Sequence, residues 1–81
     1  MPIPLYGFLE GDTILLLILA DEQDTVRSLG ERLQEAAAIR VARREDLQVV
    51  YRNRVLDPEL TVREAGLEPL ERFDVLGKKE G

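Results

Sequence analysis

The chain has 81 residues, of which 44% are hydrophobic and 33% charged, and a net charge of −5; that suits one folded domain with a modest core and is too apolar for a disordered chain. It contains neither cysteine nor histidine, which excludes disulfides, thiolate metal sites, and any catalytic dyad or triad built on imidazole or thiol. The acidic balance argues against non-specific nucleic-acid binding, which needs a basic surface to displace counterions.

The first apolar stretch, Ile3–Leu9, is followed by the tight polar turn Glu10, Gly11, Asp12 and a second apolar stretch over residues 13–20. Two such runs joined by so short a glycine-containing turn predict a β-hairpin. Residues 14–20 form the longest apolar run, far too short to span a bilayer. Acids, Glu10 and Asp12, precede it where a signal peptide carries basic residues. The expectation is a cytoplasmic protein without membrane contact.

The hydrophobic period then changes. Val26, Leu29, Leu33 and Ala36 with Ala37 recur at helical spacing, with Arg27, Glu31, Arg32 and Glu35 between them. Asp24 or Thr25 supplies the N-cap, and the helix is expected to run about four turns, to near Ala38 or Ile39. Arg40, Arg43 and Arg44 fall at or past its end, where positive charge is favoured. Residues 47–52 return to a strand pattern, and Asn53 suits a left-handed turn into a short strand at Val55 and Leu56. After the break at Asp57 and Pro58, Thr61 to Glu64 has the form of a capping box, with Gly66 placed to end one helical turn. Phe73, Val75 and Gly77 then alternate with Asp74 and Leu76 as a last strand.

This order, β-β-α-β-β-(short helix)-β, predicts an α+β fold: a mixed sheet of four to five strands with one helix across one face. The last strand must pair with the first to close so small a core, and with a right-handed crossover that is the β-grasp arrangement. Residues 1–77 are expected to form a single domain and residues 78–81 a short charged tail.

The stretch from Leu47 to Pro58, followed by Thr61-Val62-Arg63-Glu64-Ala65-Gly66-Leu67, resembles the second half of ubiquitin-like domains, and Asp24-Thr25 with Val26 and Leu29 resembles the start of their helix. A tighter resemblance is to the small ubiquitin-like (gamma) subunit of the multicomponent toluene and alkene diiron monooxygenase hydroxylases. It rests on Pro4, Phe8, Glu10 and Asp12 near the start, then Asp21, Asp24-Thr25 and Glu31-Arg32. Arg40-Val41-Ala42 with Arg44-Glu45, and the run from Thr61 through Gly66-Leu67, Pro69 and Glu71 to Asp74-Val75, complete it. The alanine-rich helix and the tail Lys78-Lys79-Glu80-Gly81 depart from that pattern.

The resemblance implies a non-catalytic structural subunit that docks on the large diiron subunit of a hydroxylase, with no cofactor of its own. The alternative is a free-standing ubiquitin-like adaptor. Conjugation chemistry is not expected, because modifiers expose a C-terminal Gly-Gly, whereas this sequence reads Lys79-Glu80-Gly81 at that point and places its two lysines at 78 and 79.

Two features stand out as candidate partner-binding residues. Between residues 40 and 54 lie five arginines, Arg40, Arg43, Arg44, Arg52 and Arg54, against two acids; drawn together they would form a patch able to grip carboxylates with forked hydrogen bonds. In the run 14–20, the ubiquitin-like resemblance implies that Leu16, Ile18 and Ala20 face the helix, leaving Leu15, Leu17 and Leu19 on the open face of the sheet. A strand of this composition at a sheet edge carries none of the usual edge protections, so a homodimer through residues 14–20 is also expected.

Overall fold

The structure, a computed structural model, describes residues 2–78. Its elements are β1 (Ile3–Leu9), β2 (Leu15–Ala20), α1 (Val26–Ala37), β3 (Leu47–Tyr51), β4 (Arg54–Val55), α2 (Val62–Ala65) and β5 (Arg72–Gly77). The five strands form one mixed sheet in the order β2-β1-β5-β3-β4, with β1 and β5 parallel and the other neighbours antiparallel. The expected β-grasp is therefore the fold. Of the expected tail, Lys79, Glu80 and Gly81 lie outside the described residues, and the Lys78 N–H donates to the Asp46 carbonyl at 2.8 Å, extending the β3–β5 ladder.

Local chemistry sets the element boundaries. Thr13 gives its N–H to its neighbour Asp12 Oδ1 at 2.7 Å instead of to β1, so β2 begins at Leu15, two residues later than the sequence predicts. Thr25 caps α1, its hydroxyl oxygen accepting from Ser28 N at 3.1 Å. The next two N–H groups, of Val26 and Arg27, find the carbonyls of Leu60 and Pro58, so the loop before α2 completes the helix start. At the far end, the N–H groups of Arg40 and Val41 both bond to the Ala37 carbonyl. That closes the helix after 12 residues, slightly short of the predicted four turns. Arg52 and Asn53 both have positive φ, 51° and 63°, the pairing that a tight turn between twisted antiparallel strands requires. The predicted capping box on α2 is complete in both directions, and Gly66 ends it in the left-handed conformation at φ 78°.

The core lies between α1 and the sheet. Leu5, Leu9, Leu29, Leu33, Phe73 and Val75 are all essentially sealed from solvent. Gly7 is the tight point: a Cβ there would stand 2.9 Å from Phe73 Cζ and 3.0 Å from Leu33 Cδ1. Only glycine lets the helix, β1 and β5 close on one another at this level, and that closure fixes which side chains of β1 point the other way.

Candidate interaction surface

Strand alternation sends Leu5, Gly7 and Leu9 into the core and Pro4, Tyr6 and Phe8 to the uncovered face. The β1–β2 register then aligns Pro4 with Leu19, Tyr6 with Leu17 and Phe8 with Leu15. Leu15, Leu17 and Leu19 are 47%, 56% and 55% exposed, and Tyr6 is 38% exposed, while Ile18 and Ala20 are buried against α1. The three leucines thus sit where the sequence predicts, and they are half of a larger apolar surface. The sequence reading missed Pro4, Tyr6 and Phe8. Their signal was the period-two pattern of residues 3–9, which acquires meaning only once the register with β2 is known. On the β5 side, Arg72 borders this surface: its guanidinium lies 5.2 Å from the Phe8 ring centroid and its Nε donates to Asp74 Oδ1 at 2.7 Å.

The edge of the sheet has a protection that the sequence does not show. Tyr6 N–H donates to Glu71 O on the β5 side, so in this antiparallel register Leu15, Leu17 and Leu19 turn their backbone groups outward. The Arg32 guanidinium, held by Asp24 at 3.0 Å, donates to the Leu19 carbonyl. One end of the edge is therefore covered from the helix.

The five arginines do not come together. Arg40, Arg43 and Arg44 surround the exit of α1, near the β1–β2 turn and the end of β5, whereas Arg52 and Arg54 flank the β3–β4 turn. Arg52 pairs with Glu71, just before β5, and Arg44 pairs with Glu10, which itself accepts from Gly77 N at the other end of β5. The length of β5 separates the two groups. The cause is register: residues 44 and 52 bracket β3, and an extended strand holds its ends apart.

The exit cluster is also largely neutralised. Arg40 forks onto Asp12, Nε to Oδ1 at 2.9 Å and Nη2 to Oδ2 at 3.0 Å. Arg43 pairs with Glu31, and Arg44 with both Glu10 and Asp46. None of these arginines lies in the last turn of α1. The backbone of Arg44 is held by buried Gln34, whose amide accepts from Arg44 N at 2.8 Å and donates to Arg44 O at 3.0 Å.

These pairs lower the carboxylate pKa values. The Arg40 fork holds Asp12 below its ordinary value, and Arg44 does the same for Glu10 and Asp46. Glu71 is lowered first by the Tyr51 hydroxyl, which donates to it, and the Tyr51 pKa is raised in consequence. A carboxylate with a depressed folded pKa stabilises the fold above its unfolded value, and the contribution is lost as pH falls through the folded one. The Tm is therefore expected to hold between neutrality and about pH 5 and to fall progressively below that, as carboxylates of the unfolded chain, with pKa values of about 4, take up protons. Thermal melts followed by circular dichroism check this; a Tm unchanged at pH 2.5 would show that the pairs contribute nothing.

Among the described residues, no cluster of three or more Asp, Glu, His or Cys side chains is placed to hold a metal ion. No helix of the structure is long and apolar enough to cross a membrane.

The sequence model of one protein family, toluene-4-monooxygenase system protein B (TmoB), matches residues 2–76. Among solved structures, a chain of the toluene 4 monooxygenase HD complex with the inhibitor 4-bromobenzoate superposes with a TM-score of 0.88 at 26% identity, covering 96% of this chain and 100% of that one. Ubiquitin from Caldiarchaeum subterraneum superposes at 0.78 with 15% identity, covering 100% and 99%. The ubiquitin-like domain of Plasmodium falciparum Dsk2 does so at 0.77 with 15% identity, covering 96% and 100%. At those identities the ubiquitin-like matches speak for the fold. No curated protein sequence matches significantly.

Proposed function

Since the chain belongs to the toluene-4-monooxygenase system protein B family, matched over residues 2–76, we propose that it is the small, non-catalytic subunit of a cytoplasmic multicomponent aromatic or alkene monooxygenase hydroxylase. In this reading it docks on the large diiron subunit and contributes no chemistry. The observation that carries the reading is the near end-to-end superposition on a chain of the toluene 4 monooxygenase complex.

The open face of β1 and β2 is the docking surface we assign. Leu15, Leu17 and Leu19 with Tyr6 and Phe8 form a continuous apolar surface of the kind that monomeric proteins rarely leave exposed. The aromatic rings supply the large rigid contacts enriched at interface centres, and the Arg72–Asp74 pair supplies a polar border. Arg40, Arg43 and Arg44, already paired within the chain, fit the rim, where the exposed pairs exchange partners at little cost and the fork of Arg40 on buried Asp12 stays intact. Arg52 and Arg54 lie apart from that cluster, at the β3–β4 turn, where Arg54 is exposed and Arg52 lies 5.2 Å from the Tyr51 ring centroid.

Co-expression with the large diiron subunit of the same system, followed by affinity capture of that subunit, tests the reading. The chain is expected to be retained through high-salt washing, as an apolar contact should be. Recovery of the large subunit alone would overturn it.

A further inference from the structure

A groove of about 370 Å³ runs between α1 and β3, on the side of the sheet opposite the open face. Its helix wall is the ridge Val26, Gly30 and Gln34, and its floor includes Val49 and Leu56. Two observations mark it as more than a surface hollow.

The first is Gly30. Glycine inside a helix is unfavourable because it loses the most backbone freedom on folding. Packing does not require it here: an added Cβ would meet only Val49 Cγ2, at 3.5 Å, an ordinary contact. This contrasts with Gly7, where the core leaves no room. Gly30 is buried in the groove wall, and since alanine would fit there and would strengthen the helix, neither packing nor helix propensity accounts for the glycine.

The second is the edge of β3. The strand β4 pairs only with Val50 and Tyr51, and Leu56 N–H then caps the Val49 carbonyl at 2.9 Å. Beyond that point the chain leaves at Asp57 and Pro58. By the alternation of an antiparallel ladder, Leu47 turns its backbone groups the same way as Val49. Among the described residues, no strand pairs with this side of Leu47 and Val49 beyond the contacts of β4 with Val50 and Tyr51. An unpaired strand edge next to an apolar floor is a template for one more strand.

We infer that this groove receives an extended segment of the partner, which continues the line of β4 along Leu47 and Val49 and sets an apolar side chain over Gly30. The inference rests on the reading of the chain as a hydroxylase subunit, and the occupant is an arm of the larger subunit. Its flanks are acidic, because four basic residues, Arg27, Arg43, Arg44 and Lys78, line the groove against Glu31 and Glu45. The Arg27–Glu59, Arg43–Glu31 and Arg44–Asp46 pairs neutralise this lining in the free chain but are all exposed and exchange partners at little cost. The groove lies toward the β4 edge of the sheet, so an arm of a subunit seated on the open face enters it round that edge.

The test titrates the purified large subunit with the wild-type chain, Gly30→Ala and Gly30→Met. Gly30→Ala is expected to raise the Tm of the free chain and yet weaken binding at least tenfold, with Gly30→Met, unbranched and flexible, weakening it further. In the wild-type complex the Leu47 and Val49 amides are expected to exchange with deuterium at least tenfold more slowly than in the free chain. If both variants bind as wild type does, or if those amides exchange unchanged, the groove is not a contact while subunit docking stands. Failure of the wild-type chain to bind would remove the subunit reading, and this inference with it.

Discussion

A Phe73→Ala chain is expected to lose about 3–5 kcal/mol of stability. The ring is fully buried on the central strand β5, where it meets Leu33 of α1 and lies against the bare Cα of Gly7. Deleting it removes the apolar contact that joins helix, β1 and β5 and leaves a cavity that Gly7, having no side chain, cannot fill. Domains of this kind are stable by only about 5–15 kcal/mol, so a large part of the fold's stability is at stake. Urea unfolding followed by circular dichroism measures it, with Leu17→Ala on the exposed strand face expected to change stability by about 0.5 kcal/mol or less. A loss of under about 1 kcal/mol for Phe73→Ala, below the usual range for an aromatic core deletion, would contradict this account of the core.

Leu17→Lys is expected to leave the fold intact and weaken docking on the large subunit about 100-fold or more. Leu17 is 56% exposed and sits opposite Tyr6 at the middle of the apolar surface, so a lysine there costs the free chain little. In the docked state the burial of a leucine, worth about 1.5–3 kcal/mol, is lost, and an ammonium must be desolvated without a partner. Without the large subunit, we propose that the same face pairs two copies of the chain through β2, with Arg32 displaced from the Leu19 carbonyl as the edges join. Light scattering across a concentration series checks both halves: self-association of the wild type at high micromolar concentration and a monomeric Leu17→Lys chain. A wild type that stays monomeric would dismiss the dimer and leave the docking prediction to stand on its own titration.

Much of the fold was legible because its signals are local. Thr61 and Glu64 sit at the spacing a capping box needs, Gly66 follows where a left-handed residue ends the turn, and the spacing of Val26, Leu29 and Leu33 permits one buried helix face. Residues 14–20 are apolar throughout, so period two divides β2 into two sets and only the ubiquitin-like resemblance said which of them faces the helix. What could not be seen depends on register and distance. That Arg44 and Arg52 belong to different regions follows from the strand between them, and that Arg44 meets Glu10 follows from β1 and β5 lying side by side. The same holds for Tyr6 and Phe8, ordinary strand residues until the β1–β2 pairing sets them beside the leucines. Arg32 reads as a solvated helix residue, yet it reaches across to the edge strand. Leu70, an exposed leucine at φ 68°, has no sequence signal for that conformation; its N–H donates to the Pro4 carbonyl, fixing the chain as it enters β5.

Calorimetric titration of this chain into large diiron subunit purified from cells that lack it tests the central claim most directly. Docking through the open face of β1 and β2 predicts saturation at one chain per large subunit and a clearly negative heat-capacity change between 10 and 30 °C, about the range over which apolar burial is conveniently read. Leu17→Lys should diminish both the affinity and that heat-capacity change. Absence of saturable binding, or binding with a heat-capacity change near zero that Leu17→Lys does not alter, would contradict it.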